Sequence, residues 1–228
     1  MKSKLFFISL LFCGVLFVSC GEDEVSANSS INSDGELSGT IANTTLLPND
    51  SVYFYGPSDV LYGKAPVDSK GAFKVKLSTP ESTNLSTLKT SSDYDLKISD
   101  EKLKITVISF SYYVSEDQIL TRANVNPTLE AESISATLVE TAFYYADRDA
   151  TVTFTGKDDE DDVKIDMKLK KGWNEVANIA KITTSSYSEE ITTTIPSGLK
   201  WWYAEYDESD YDAAPKSKIT KAFKGLLK

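Results

Sequence analysis

The residues Val163-Lys164-Ile165-Asp166-Met167-Lys168-Leu169 decide the fold class of this chain. Apolar and charged side chains alternate through them without a break. This is the pattern of a β-strand that buries one face and exposes the other. Lys171-Gly172 then turns the chain, and Trp173 opens a further strand that runs to Ile182. The stretch therefore predicts a sheet and excludes a helix at this point.

Strand signals recur on both sides of this stretch, and short turns separate them. They lie at residues 141–145, 151–155, 191–195 and 199–206, with turns at 147–149 and 196–198. Spacings of about 8–12 residues between strands are typical of an all-β domain. The six strands of this half predict an antiparallel meander.

The first half of the chain carries the same signals at residues 37–41, 52–55 and 73–77, with a turn at 68–71. Residues 103–110 are the most apolar run here and predict a central strand. Residues 115–135 fit either a short helix or an irregular crossover. Residues 35–78 resemble small transthyretin-like or carboxypeptidase-regulatory-like β-sandwiches, and the resemblance implies a sandwich.

In the last thirteen residues, 216–228, the spacing of the apolar residues changes from that of a strand to that of a helix. Pro215 suits the start of a helix, and one helical face collects the apolar side chains, namely Ile219, Ala222, Phe223, Leu226 and Leu227. We expect this helix to pack on the sheet, and a membrane surface is the alternative. The predicted fold is mainly β, an antiparallel β-sandwich or barrel over residues 37–228 with a short C-terminal amphipathic helix. Two packed subdomains meeting near residue 130 are the alternative.

The first twenty residues have the parts of a secretory signal. Lys2 and Lys4 precede an uncharged run over 5–18, and Cys20 is followed by Glu22-Asp23-Glu24. The run is shorter than the roughly 20 residues that a bilayer span needs. The stretch resembles a bacterial lipoprotein signal peptide, and the acidic residues resemble the surface-export signal of Bacteroidetes-type lipoproteins.

That resemblance implies cleavage of residues 1–19, acylation of Cys20 and a place in the cell envelope, on an outer membrane and exposed at the surface. The alternative is an uncleaved N-terminal helix. Residues 20–36 are small and polar and predict a lipidated flexible tether. Residues 144–154 and 169–174 look like stretches of uncharacterised Bacteroidetes-type lipoproteins, which implies a fold family and no activity.

Composition excludes several classes of function. The chain has no histidine, which removes the commonest general base and the commonest metal ligand. Loss of residues 1–19 removes Cys13, Lys2 and Lys4, so the net charge goes from −10 to −12. With Cys20 acylated, no disulfide remains. The acidic balance argues against a nucleic-acid partner, whose phosphates would be repelled.

The acidic loop at Asp158, Asp159, Asp161 and Asp162 is the one candidate metal site. Hard carboxylate oxygens suit calcium, and the alternative is a solvated hairpin tip. A second cluster has the same character and could meet the first in space; it consists of Asp207, Glu208, Asp210 and Asp212. No other cofactor is expected.

The aromatic run Trp201-Trp202-Tyr203 is the candidate ligand site. Neighbours on a strand point to opposite faces, so one tryptophan faces the core and the other faces outward. An outward tryptophan can stack on a sugar ring, and cover by the C-terminal helix is the alternative. Tyr112-Tyr113 and Tyr144-Tyr145 are similar pairs.

Taken together, these patterns indicate a lipid-anchored, non-catalytic binding module for an extracellular glycan or protein. A structural or adhesive surface protein, or an accessory subunit of an outer-membrane complex, is the alternative. A carboxylate-based hydrolase comes third, because no pair of carboxyls can be placed across a cleft. No catalytic residue is assigned.

Overall fold

A computed structural model describes residues 28–32, 34–42, 50–88, 95–108, 110–113, 115–124, 136–158 and 161–205. Cys20, the acidic cluster at 207–212 and the predicted helix at 216–228 lie outside these ranges. Within them the fold is mainly β, as predicted. No helix of the described part is long and apolar enough to cross a bilayer.

The described residues form fifteen strands and two short 3-10 turns, Pro57–Asp59 and Ser82–Asn84. The strands are β1 (Glu36–Thr40), β2 (Ser51–Tyr55), β3 (Leu61–Pro66), β4 (Ala72–Lys76), β5 (Ser86–Thr87), β6 (Lys97–Ile98), β7 (Lys104–Val107), β8 (Phe110–Tyr113), β9 (Ser115–Ala123), β10 (Ala136–Ala146), β11 (Ala150–Asp158), β12 (Asp161–Leu169), β13 (Gly172–Ile182), β14 (Tyr187–Thr192) and β15 (Lys200–Glu205).

Most strands join one curled, open sheet in the order β3-β2-β8-β9-β10-β13-β14-β12-β11-β6. β15 pairs with β9, β7 pairs with β10, and β5 pairs with β7. β1 and β4 form a separate two-stranded sheet, which meets β15 at a bridge between Ile41 and Trp201. Neighbouring strands run antiparallel, with the exception of β12 and β14, which are parallel.

The alternation predicted for Val163–Leu169 is observed in β12. Val163, Ile165, Met167 and Leu169 are buried, while the side chains between them are exposed or half-buried. The local pattern therefore predicted both the strand and its buried face, because side chains alternate strictly along a pleated strand.

The predicted meander is wrong in its connections. β13 does not lie beside β12; it pairs with β10 along eleven positions, from Ala136 opposite Ile182 to Ala146 opposite Gly172. β14 lies between β13 and β12 and begins at Tyr187, ahead of the predicted strand at 191–195. Partner choice depends on long-range burial and hydrogen bonding, which short sequence windows do not encode.

Two further predictions are corrected in the middle of the chain. The apolar run at 103–110 is not one strand, because β7 ends at Val107 and β8 starts at Phe110. Residues 115–123 form β9 rather than a helix or a crossover. The remainder of the predicted crossover, at 125–135, lies outside the described residues.

Two hydrophobic cores lie on opposite faces of the β10–β13 pair. Phe143 and Tyr145 of β10 belong to the first core, while Tyr144 and Ala146 belong to the second. The pair is therefore buried on both faces. The first core includes Trp173 and Trp201, and the second includes Leu88, Leu103 and Ile105. Because each core draws residues from both sides of residue 130, the cores do not divide the chain there.

Aromatic rings fill the first core around Trp201. Its indole lies 5.2 Å from the Phe73 ring and 6.2 Å from the Phe54 ring, both at steep angles, and 6.0 Å from the nearly parallel Phe143 ring. Gly39 packs directly against the indole, since a Cβ atom there would lie 2.2 Å from Nε1. The close approach requires glycine at this position.

The described part of the predicted tether at 20–36 is packed on the body. Ile31 is 3% exposed and belongs to the first core. The amide of Ser38 donates to the carbonyl of Ser30 at 3.0 Å, and that of Asn32 donates to Glu36 at 3.0 Å. Residues 28–32 and 34–36 are thus packed on the body, because a buried apolar side chain and backbone pairing offset the loss of chain entropy.

Candidate binding face

The structure separates the three aromatic residues at 201–203. Trp201 is 4% exposed and lies in the first core, where its Nε1 has no hydrogen-bond partner among the described residues. Tyr203 packs against the same core. Trp202 is half-buried on the opposite face of β15. The prediction that one tryptophan of the pair faces inward is confirmed, and that residue is Trp201.

The strand registers place Trp202 on the same face of the sheet as the outward positions of β2 and β3. On β2, Val52 and Phe54 are fully buried, so Tyr53 and Tyr55 point away from the core. We define the outer aromatic face by its rings and the long side chains beside them, namely Tyr53, Tyr55, Leu61, Lys64, Lys200 and Trp202.

The two tyrosines form a nearly parallel pair on this face. Their ring centroids lie 6.4 Å apart and their planes differ by 11°. Lys64 stands opposite Tyr53 in the β2–β3 register, and its Nζ atom lies 4.8 Å from the Tyr53 ring centroid. Leu61, opposite Tyr55, is 45% exposed. This part of the face therefore combines two apolar rings, an exposed aliphatic side chain and a cation.

Trp202 is held in place by a hydrogen bond. Its Nε1 donates to the carbonyl of Ala123 on β9 at 3.2 Å, and the Nζ atom of Lys200 lies 5.8 Å from the indole centroid. The polar atom of the ring is thus satisfied by the sheet, and the apolar ring is left half-exposed.

Sequence reasoning missed Tyr53 and Tyr55 as candidate site residues. The available signal was their spacing in Val52-Tyr53-Phe54-Tyr55, because two tyrosines that alternate with buried apolar residues must share the other face. The sequence did not show whether Val52 and Phe54 or the two tyrosines face inward, since all four side chains are largely apolar.

A buried ion pair lies between β9 and β13 and was also missed. Arg122 is 9% exposed and Glu175 is 4% exposed. Arg122 donates from Nη1 to Oε1 of Glu175 and from Nη2 to the carbonyl of Asn28 at 2.9 Å. The other carboxylate oxygen, Oε2, accepts from the Ser30 amide at 2.6 Å, from Ser30 Oγ at 3.0 Å and from Ser29 Oγ at 3.1 Å.

This network fixes the N-terminal segment, residues 28–31, to the body. The Asn28 side chain adds a hydrogen bond to the carbonyl of Ile195 at 3.0 Å. Because both carboxylate oxygens accept donors, Glu175 is engaged in structure rather than poised for proton transfer. The pair joins two strands and the N-terminal segment at one buried point.

The acidic hairpin tip borders a shallow groove of about 450 Å³ lined by β11, β12, β13 and β14. Two carboxylates of the groove face lysines. Lys157 lies 3.3 Å from Asp162, and Lys164 lies 2.6 Å from Glu190. Burial, and secondarily the nearby carboxylates, raise the pKa of Tyr187, which directly precedes the groove residue Ser188 on β14, to about 12.

The calcium hypothesis stays a prediction. Of its four carboxylates, Asp161 and Asp162 are described, Asp158 is described in its backbone alone, and Asp159 lies outside the described residues. Among the residues that are described, no group of three acidic or thiol side chains is arranged to hold a metal ion.

The two remaining aromatic pairs lie on β10 and β8. Tyr144 and Tyr145 are both buried, one in each core. The backbone of β8 at Tyr112 and Tyr113 pairs with β2.

Comparisons of the chain with protein-family models, with curated proteins and with solved structures give no match. The resemblances to lipoprotein signals and to transthyretin-like sandwiches therefore stay predictions from the sequence. What the protein binds has to be inferred from its own side chains.

Proposed function

We propose that this protein is a lipid-anchored envelope protein that binds an extracellular glycan, without catalysis, through the outer aromatic face. The observation that carries the proposal is the outward, half-buried placement of Tyr53, Tyr55 and Trp202 on strands whose other face is packed in the first core. Half-buried rings can contact a ligand, and the strands beneath them are packed on their other face.

Aromatic rings suit a sugar because the two surfaces have the same character. A saccharide ring presents C–H groups on its faces, and these pack on the apolar face of a tyrosine or tryptophan. A rigid platform raises affinity because little side-chain entropy is lost on binding. Val52 and Phe54, both fully buried, hold β2 and thus the two tyrosines in place.

The anchor would hold this face near a membrane. If Cys20 carries the lipid, eight residue steps separate it from Asn28, where the packed segment begins. At about 3.3–3.6 Å per residue the link spans at most roughly 29 Å. We therefore place the body close to the outer membrane.

A protein ligand is the second candidate. Leu61 favours it, because a large aliphatic side chain that is 45% exposed beside Tyr55 is typical of a protein contact rather than of a sugar site. The same face would then serve adhesion or assembly with an outer-membrane partner.

The test is a glycan array and calorimetric titration of the mature chain carrying Tyr53→Ala or Trp202→Ala. Each substitution should weaken glycan binding by about two- to ten-fold, since an aromatic contact contributes roughly 0.5–1.5 kcal/mol and 1.4 kcal/mol is ten-fold. Tyr187→Ala is the matched control, because Tyr187 is an equally half-buried tyrosine on β14. Absence of glycan binding by the unsubstituted chain, or equal binding by all variants, would contradict the proposal.

A further inference from the structure

We infer that the ligand of the outer aromatic face is an acidic glycan, a saccharide that carries carboxylate or sulfate groups. This inference rests on the proposed glycan-binding function and names the class of sugar. It is carried by two lysines, Lys64 and Lys200, each of which lies beside an outward ring.

The position of Lys64 is set by strand pairing. Lys64 and Tyr53 are directly opposite in the antiparallel β2–β3 pair, where facing side chains lie on the same side of the sheet. The ammonium is exposed and lies 4.8 Å from the Tyr53 ring centroid. The register of two strands, and not a loop, therefore places Lys64 where its cation lies over the ring.

Lys200 repeats this arrangement on a different strand. It precedes Trp202 by two residues on β15, so both side chains emerge on one face. Its exposed ammonium lies 5.8 Å from the indole centroid. Two separate aromatic positions on the face thus carry a cation each.

The described outward positions carry positive charge, whereas the chain as a whole is acidic. The sequence has 34 acidic and 24 basic residues, yet the outward positions of β2, β3, β9 and β15 whose side chains are described carry no acidic residue. Those positions are Ser51, Tyr53, Tyr55, Leu61, Lys64, Pro66, Ile119, Thr121, Lys200 and Trp202.

Some lysines elsewhere in the described part pair with carboxylates. Lys74 lies 2.9 Å from Glu36, and Lys164 lies 2.6 Å from Glu190. Within the described residues, no carboxylate lies at ion-pair distance from Lys64 or Lys200. An anionic ligand would supply these two lysines with the partner that Lys74 and Lys164 find within the protein.

The two kinds of side chain then have different roles. A sugar ring stacks on Tyr53 or Trp202, and its carboxylate or sulfate accepts a charge-assisted hydrogen bond from the neighbouring ammonium. An exposed ion pair contributes only about 0.2–1 kcal/mol. The rings therefore supply most of the affinity, and the lysines select an acidic sugar over a neutral one.

The experiment compares matched acidic and neutral probes by calorimetric titration of the mature chain. The first pair is an oligogalacturonate and its carboxyl-reduced form, and the second is a heparin oligosaccharide and its desulfated form. The acidic member should bind about ten-fold more tightly at low salt, as two ion pairs predict. The difference should shrink as ionic strength rises, because exposed charges are screened.

Variants then assign the effect to the two lysines. Lys64→Gln and Lys200→Gln should each weaken binding of the acidic probe about three-fold and leave the neutral probe unchanged. Lys181→Gln is the matched control, since Lys181 is an exposed lysine of the groove in the other half. Melting curves of the variants should coincide with that of the parent chain, because all three side chains are exposed.

The contrary results are distinguishable. Equal affinity for acidic and neutral probes, lost in Tyr53→Ala, would overturn the acidic inference and leave the glycan-binding proposal standing. No binding of any probe would overturn both. Acidic binding that Lys181→Gln weakens as much as Lys64→Gln, and that Tyr53→Ala leaves intact, would show diffuse charge attraction and would also overturn both.

Discussion

At the scale of single residues, the buried pair of Arg122 and Glu175 is the most consequential feature. Moving a carboxylate and a guanidinium out of water costs several kcal/mol for each ion, and only good geometry with further hydrogen bonds offsets this. Glu175 has that geometry, since Arg122, Ser29 and Ser30 all donate to it. The network therefore holds β9, β13 and the N-terminal segment together.

Glu175→Ala should destabilise the protein by about 3–5 kcal/mol, because it leaves the Arg122 charge buried without its partner. Glu190→Ala is the matched control: its carboxylate also pairs with a cation at 2.6 Å, but the pair is partly exposed, so the loss should stay within about 1 kcal/mol. Denaturant unfolding monitored by tryptophan fluorescence measures both. Equal losses for the two variants would show that the buried network is not the stabilising element.

At the scale of elements, the segment at 28–31 and the β10–β13 pair organise the body. The segment adds Ile31 to the first core and two serines to the buried network. The β10–β13 pair separates the two cores and supplies side chains to both. The fold thus depends on an N-terminal segment whose polar composition is typical of a linker.

Truncation tests the segment directly. A chain that begins at Asn28 keeps the whole packed segment and is the reference. A chain that begins at Asn32 should lose about 3–5 kcal/mol, from the burial of Ile31 and from donors to the Glu175 carboxylate. Thermal melting of the two truncated chains decides the matter; coincident melting curves would contradict the packed segment.

At the scale of the whole molecule, the proposed lipid anchor and the acidic charge of the chain would act together. An acidic body suits a negatively charged cell surface, because repulsion limits non-specific contact. The outer aromatic face, with its two lysines, is a local exception to that charge. An anchored protein would present this face to glycans close to the membrane.

Replacement of Cys20 by serine should release the protein from the membrane fraction, since stable anchoring needs the lipid chains. Intact mass of the native protein should show loss of residues 1–19 and an acylated Cys20. Fractionation of cells and mass spectrometry make the two measurements, and Cys13→Ser is the matched control that should stay membrane-bound. A native mass with an unmodified Cys20 would refute the anchor.

The sequence by itself determined several of the strands and, where apolar and polar residues alternate, their buried faces. Val163–Leu169 alternates cleanly, and the rule of opposite faces required one of Trp201 and Trp202 to turn inward. Such features are encoded within a few residues, because the pleat of a strand depends only on the local backbone. The mainly β class follows from the same local patterns.

Only the tertiary structure decided which strands meet and which side chains they bring together. The β10–β13 pairing, the parallel β12–β14 pair and the burial of Arg122 against Glu175 each join residues far apart in the chain. So does the outer aromatic face, where Trp202 and Tyr53 lie on different strands of one sheet. The physical reason is that a strand can satisfy its local preferences beside many different partner strands. The choice among these strands depends on total burial and hydrogen bonding in the whole fold.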